Sequence, residues 1–105
     1  MDLDIMRAAA GQASAVLKSL GNEDRLILLC HLSQEELSVG QLSLLTGIVQ
    51  PTLSQQLGVL RSEQMVATRR DGKHIYYRIA DDKIKALLQC LYDLYCPDEG
   101  RLREE

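Results

Sequence analysis

The chain has 105 residues, enough for one small domain spanning 1–105. It holds no Trp and no Phe, so its core must be built from Leu, Ile, Val, Ala and Met with a few Tyr. Net charge is −3 and no apolar run is long enough to span a bilayer or to begin as a secretory signal, which predicts a soluble cytoplasmic protein with no membrane partner.

Residues 4–20 read as a helix, with Ala8, Ala9, Ala13, Val16, Leu17 and Leu20 on a narrow apolar face suited to close packing against another helix. Gly21 breaks it. Asn22 is a good N-cap, and Glu23 and Asp24 place acids where the helix dipole favours them. A second helix is therefore predicted from about Glu23 to Leu32, largely buried through Leu26, Ile27, Leu28, Leu29, Cys30 and Leu32. A polar link, Ser33 to Leu37, follows. Ser38 caps a third helix, Val39 to Thr46, with Leu42 and Leu45 expected inward. Gly47 supplies the positive φ that a helix-to-helix turn needs. The fourth helix is expected to begin at about Gln50, with Pro51 in its first turn, where a missing N–H costs little. Leu53, Leu57 and Leu60 form one apolar stripe at i, i+4 and i+7. Gln50, Thr52, Ser54, Gln55 and Gln56 are uncharged and rich in donors and acceptors. Side chains of this kind at the start of a helix pair with base edges in the DNA major groove. An ordinary amphipathic helix with a polar face has the same pattern.

After Gln64 the period changes from helical to alternating. Met65 to Arg70, then Asp71-Gly72, then Lys73 to Ile79 predict a hairpin with Asp71-Gly72 at its tip. The last helix is expected from Asp81 or Asp82 to about Tyr95, with Ile84, Leu87, Leu88, Leu91, Leu94 and Tyr95 on one broad face. Pro97 stops it, leaving an ordered core of about 4–97 and a charged, mobile tail at 98–105.

The charge is unevenly spread. Residues 61–78 carry five basic side chains (Arg61, Arg69, Arg70, Lys73, Arg78) against two acidic ones, and acids outnumber bases on both sides of that stretch. A basic patch on an acidic body suffices for phosphate contact, although a merely solvated hairpin also carries such charges. The element order is helix, helix, helix-turn-helix, hairpin, helix: a mainly helical α+β winged helix-turn-helix. Its reading helix would enter the major groove of double-stranded operator DNA while Arg61, Arg69, Arg70 and Lys73 meet the backbone. The first and last helices carry more apolar surface than one small core needs. A homodimer through them is expected, with its reading helices about one DNA turn apart, on the order of 34 Å. A winged-helix protein-interaction module that has lost DNA binding is the alternative. No Ser/His/Asp or Cys/His arrangement and no phosphate-cradling Gly loop is evident, so neither an enzyme nor a cofactor is expected.

Four blocks carry a family resemblance: Leu20-Gly21-Asn22-Glu23-Asp24-Arg25-Leu26, Glu36-Leu37-Ser38-Val39-Gly40-Gln41-Leu42, Leu53-Ser54-Gln55-Gln56-Leu57-Gly58-Val59-Leu60-Arg61, and the Arg69-to-Tyr77 wing. Over about Ala8 to Pro97 the chain resembles the ArsR/SmtB family of small bacterial winged-helix repressors. Within it, the run QPTLSQQLGVLR is similar to the thiol- and persulfide-sensing BigR, SqrR and HlyU type. Metal-sensing members have two cysteines where this chain has Ser38 and Gly40, and neither a hydroxyl nor a glycine replaces a thiolate on a soft metal. Others hold zinc on the last helix through histidines, where this chain has Ile84 and Tyr95. No metal is expected at either place. Of Cys30, Cys90 and Cys96, no pair forms a CxxC motif and the odd count leaves one over. Read from the residues alone they are small apolar fillers. The resemblance implies instead that Cys30 and Cys96 are the sensing pair. Reactive sulfur species or an oxidant would then link them by a disulfide or a polysulfide, respace the two reading helices and release the operator. A regulator of the same family without thiol sensing is the other reading.

Overall fold

Most helices begin where a short polar side chain meets the orphan amides of the first turn. Asp2 accepts from the amides of Asp4 (2.8 Å) and Ile5 (3.4 Å) and opens α1, Leu3–Leu20. Asn22 accepts from the amide of Arg25 at 3.0 Å and opens α2, Glu23–Leu32. Ser38 opens α3, Val39–Thr46, with a capping box: its hydroxyl accepts from the Gln41 amide (3.2 Å) and the Gln41 side chain accepts from its own (2.9 Å). Asp81 accepts from the Lys83 amide at 2.8 Å and opens α5, Asp82–Tyr95. The structure, a computed structural model, describes residues 2–96. Pro97 and the tail at 98–105 lie outside the described residues.

The exception is α4, Thr52–Ser62, which starts later than the sequence predicts. Pro51 stands at its N-cap rather than inside its first turn and makes no side-chain cap. The cause is local: a residue preceding proline is sterically driven out of the helical region, which holds Gln50 outside the helix. Gln50 supplies the cap instead, its Oε1 accepting from the Ser54 amide at 3.0 Å. At the other end Gln64 takes a positive φ of 60°, and the Met65 amide reaches back to the Leu60 carbonyl at 3.0 Å. This is a Schellman closure built on a glutamine, and it turns the chain towards the wing.

Three strands follow the order β1-β3-β2, with β1 at Leu37–Ser38, β2 at Val66–Asp71 and β3 at His74–Ile79, all antiparallel. The expected polar link thus ends in a strand, with Leu37 opposite Tyr77 and Ser38 opposite Tyr76. Two residues carry no periodicity, so only the pairing reveals them. The hairpin tip also moves by one residue. Asp71 pairs with His74, which leaves Gly72 and Lys73 as the loop. Gly72 has φ +63° and Lys73 does not share it, the requirement of a two-residue turn whose first position alone is left-handed.

The core gathers on α2. Leu28, Leu29 and Leu32 pack with Leu42, Leu53, Leu57, Leu60, Ile79 and Leu88. Leu45, expected inward, is 54% exposed, and Leu44 beside it is open as well. An eight-residue helix buries only the face that meets α2 and the sheet, and on α3 Leu42 occupies it. On α1 only Ser19 and Leu20 are buried, leaving Leu3, Ile5, Met6 and Leu17 exposed. On α5 Ile84 and Leu88 are buried, but Leu94 and Tyr95, expected on the same face, are open. No helix among the described residues is long and apolar enough to cross a membrane.

Candidate nucleic-acid interface and thiol pair

The turn between α3 and α4 is locked by short side chains. Gly47 has φ +73°, Thr46 Oγ1 donates to the Leu42 carbonyl (2.7 Å) and accepts from the Ile48 amide (3.1 Å), and Ser43 Oγ donates to the Ile48 carbonyl (3.3 Å). Leu53, Leu57 and Leu60 are almost wholly buried, so α4 is clamped by one stripe and its rotation about its own axis is fixed. Ser54 and Gln55 are turned outward and exposed, and Thr52 is half-buried. Gln56 lies on the flank nearer α1 and α2, where its Oε1 accepts from Arg25 Nη1 at 3.0 Å. Of the five polar side chains marked by the sequence, Gln55 is thus the long one left open, while Gln50 and Gln56 each have an acceptor in use.

The wing is similarly divided. Arg69 donates through Nε (2.7 Å) and Nη2 (2.6 Å) to one oxygen of Glu36, and its guanidinium lies 4.5 Å from the centre of the Tyr76 ring. Asp71 adds a second carboxylate at 3.9 Å. The hydrogen bond to Glu36 and the nearby carboxylates hold the Arg69 pKa above its ordinary value. This cation is engaged within the protein, tying β2 to the segment before β1. Arg70 is exposed and, among the described residues, donates only to the Gly72 carbonyl, at 3.4 Å. Arg61 and Lys73 are exposed and make no ion pair among the described residues. The sequence missed Arg25, Glu36 and Tyr76. An arginine just ahead of the apolar run of α2 was the available signal for the first; nothing local marks the other two.

The three thiols are unlinked. Cys30 is half-buried near the end of α2, and Cys96 is the exposed residue that closes α5, its amide donating to the Tyr92 carbonyl at 3.0 Å. Burial pushes the Cys30 thiol above its ordinary range, and the charge of Cys96 pushes it further the same way. Cys90 is exposed on α5. A cleft of about 460 Å³, lined by Cys30, His31, Gln34, Gln89 and Tyr92, opens between α2 and α5. Among the described residues no three His, Cys, Asp or Glu side chains cluster so as to hold a metal ion.

Residues 22–68, from the N-cap of α2 through the first half of the wing, match the signature of the bacterial regulatory protein, arsR family. A biofilm growth-associated repressor of Agrobacterium fabrum is 47% identical over 100 residues, covering 95% of this chain and 86% of its own. The structure of reduced HlyU from Vibrio cholerae is 38% identical with a TM-score of 0.85, over 90% of this chain and all of that one. A Mycobacterium bovis protein described as a homodimeric winged helix-turn-helix DNA-binding domain is 31% identical with a TM-score of 0.75, over 99% of this chain and 94% of that one.

Proposed function

The chain belongs to the ArsR family of bacterial regulatory proteins, and from that premise we propose that it is a dimeric operator-binding repressor that lets go of DNA when sulfur links Cys30 to Cys96. At the level of the family it is a DNA-binding transcriptional regulator and not an enzyme. What supports the finer reading is the half-buried Cys30 on the core helix α2, whose ionisation is opposed first by burial and then by the charge of the exposed Cys96 at the end of α5.

The dimer forms through α1 and α5. Both leave large apolar side chains open, and an apolar groove of about 510 Å³ runs between them, lined by Ala9, Ala13, Val16, Leu17, Ile84 and Leu87. In the dimer two α4 helices enter successive major grooves. Thr52, Ser54 and Gln55 face the bases from α4, with Gln50 just before it and Gln56 on the flank towards Arg25, and Arg61, Arg70 and Lys73 meet phosphates, with Arg69 anchoring the wing.

Exposed Cys96 meets a dissolved polysulfide first. It takes one sulfane sulfur and the donor's thiol leaves, giving a Cys96 persulfide. Cys30 then attacks the inner sulfur of that persulfide; a sulfur–sulfur bond forms between the cysteines, hydrosulfide departs, and the Cys30 proton leaves with it as H₂S. If Cys96 carries a longer polysulfane chain, attack further out expels a thiol and keeps the intervening sulfurs in the bridge. A peroxide serves equally as oxidant, with water leaving a Cys96 sulfenic acid. The bridge couples the dimer helix α5 to α2, which lies under α4, and alters the spacing of the reading helices. Coupling of this kind is typically worth about 1–3 kcal/mol, roughly 5- to 150-fold in affinity. The raised Cys30 pKa favours a second reading, a family regulator whose thiols are inert.

Intact mass spectrometry after polysulfide treatment separates the two. The bridge reading requires loss of two free thiols within one chain and retention of Cys90, with no bridge in Cys30→Ser or Cys96→Ser. Unchanged thiol counts, or a bridge through Cys90, contradict it.

A further inference from the structure

Arg25 is the one basic side chain of α2 besides His31, and it is spent inside the protein. Its Nε donates to the Ser19 carbonyl at 2.7 Å and its Nη2 reaches the Lys18 carbonyl at 3.5 Å, both at the C-terminal end of α1. Its Nη1 donates to Gln56 Oε1 on α4 at 3.0 Å. The base of the side chain is held as well, because the Arg25 amide is the one that Asn22 caps. A crevice of about 300 Å³ lies here, lined by Ala15, Lys18 and Ser19 of α1, Arg25, and Val59 and Glu63 at the far side of α4. Arg25 spans that gap from α1 to α4.

We propose that Arg25 is a positioning residue, a three-way tie that fixes the angle of the reading helix against the dimerisation helix. This rests on α4 being the operator reader. The chemistry suits the task. A guanidinium is a rigid planar fork. Its Nε is held by the Ser19 carbonyl at the negative end of the α1 dipole, and its Nη2 leans on the Lys18 carbonyl, which the Gly21 amide also uses. The guanidinium plane is thereby oriented, and its Nη1 meets Gln56 Oε1. The position of Gln56 relative to α1 is fixed by one side chain rather than by loose van der Waals contact. A guanidinium only donates, so the Gln56 atom facing it must be the carbonyl oxygen. Gln56 Oε1 keeps a second lone pair but its direction is set by Arg25, whereas the exposed Gln55 is free to turn both ends of its amide to an adenine. The same helix carries Cys30, five residues or roughly 7.5 Å further along its axis. A pull on α2 from the thiol end is thus felt by the tie at the other end.

The test uses the full chain and a DNA duplex selected by the wild-type protein from a random-sequence pool, with affinity read by fluorescence anisotropy across a salt series. The variants are Arg25→Met, Arg25→Lys, Gln56→Ala and the pairwise doubles. Arg25→Met and Gln56→Ala are each expected to lose affinity on the order of tenfold, as for a charge-assisted hydrogen bond. The salt slope should stay unchanged, because Arg25 meets no phosphate. Each double variant should bind no more weakly than its weaker single, because both changes cut one tie. Arg25→Lys keeps the charge but offers a compact point donor, and should lose nearly as much as Arg25→Met. If Arg25→Met fails to melt cooperatively, the Arg25→Lys and Gln56→Ala cycle measures the same coupling. Additive losses, a slope reduced by about 0.9 per contact, rescue by lysine, or wild-type affinity in the variants each overturn this proposal while leaving operator binding intact. A wild-type protein that selects no duplex overturns the operator reading, and this proposal with it.

Discussion

Removing Arg70 should change how binding responds to salt, by an amount set by where its charge stands. Arg70 is exposed and its only partner among the described residues is a neighbouring carbonyl, so its positive charge is open to a phosphate. Each phosphate contact contributes a slope of about −0.9 in log affinity against log salt, and a dimer loses two contacts when Arg70 becomes Ala. The slope should flatten by roughly 1.8. Between 50 and 200 mM salt, a fourfold change, the disadvantage of the variant should shrink roughly 12-fold. The loss should also be the same on every duplex, because a phosphate contact carries no sequence information. Arg69 provides the control. Its two donors converge on one Glu36 oxygen, so replacing both with Met (Glu36→Met with Arg69→Met) removes no net charge. That double variant should keep the wild-type slope. Anisotropy titrations at four or five salt concentrations decide the matter. An unchanged slope in Arg70→Ala, or an equal flattening in the Glu36/Arg69 double, would refute the division of the wing into one anchoring and one phosphate-facing arginine.

Gln55→Ala should relax base preference at one position of each half-site, costing about 1–3 kcal/mol on the selected duplex and little on random DNA; equal losses on both would contradict a base contact. Leu57→Ala empties a site that is 2% exposed beneath α4 and should lower unfolding free energy by about 2–5 kcal/mol in chemical denaturation, whereas a loss below about 1 kcal/mol would mean that α4 is not clamped by its leucine stripe. Burial, then Cys96, raise the Cys30 pKa, so its alkylation rate should climb with pH to a midpoint above the ordinary thiol range, and Cys96→Ser should move that midpoint down without restoring it fully. The same shift leaves the fold's stability unchanged below the unfolded thiol's pKa and lowers it as pH rises from there towards the higher folded value, because the unfolded chain ionises first.

The sequence made legible whatever is encoded by residues within a turn of one another. Gly47 and Gly72 were visible because only glycine takes those backbone angles cheaply, and the leucines of α4 because a buried stripe needs helical spacing. The start of α4 was misplaced because the effect of Pro51 on Gln50 competes with the polar pattern, and steric exclusion won. Leu37 and Ser38 form a strand only because β3 lies beside them, far along the chain at Tyr76 and Tyr77, and no local pattern announces it. The interface was half legible. Gln55 and Arg70 are exposed, but the commitments of Gln56 to Arg25 and of Arg69 to Glu36 are contacts across the fold that no local pattern marks. Cys30 and Cys96 came from family resemblance alone. The rise in the Cys30 pKa comes from tertiary burial and from Cys96, neither of which a local sequence pattern announces.

The most direct measurement is a pair of operator titrations on one preparation, first fully reduced and then after polysulfide treatment, with the bridged chain confirmed by mass on the same sample. Control over DNA by the thiol pair predicts a bridged dimer that binds roughly 5- to 150-fold more weakly, with affinity restored by a reducing agent. A bridged dimer that holds the duplex as tightly as the reduced one contradicts it.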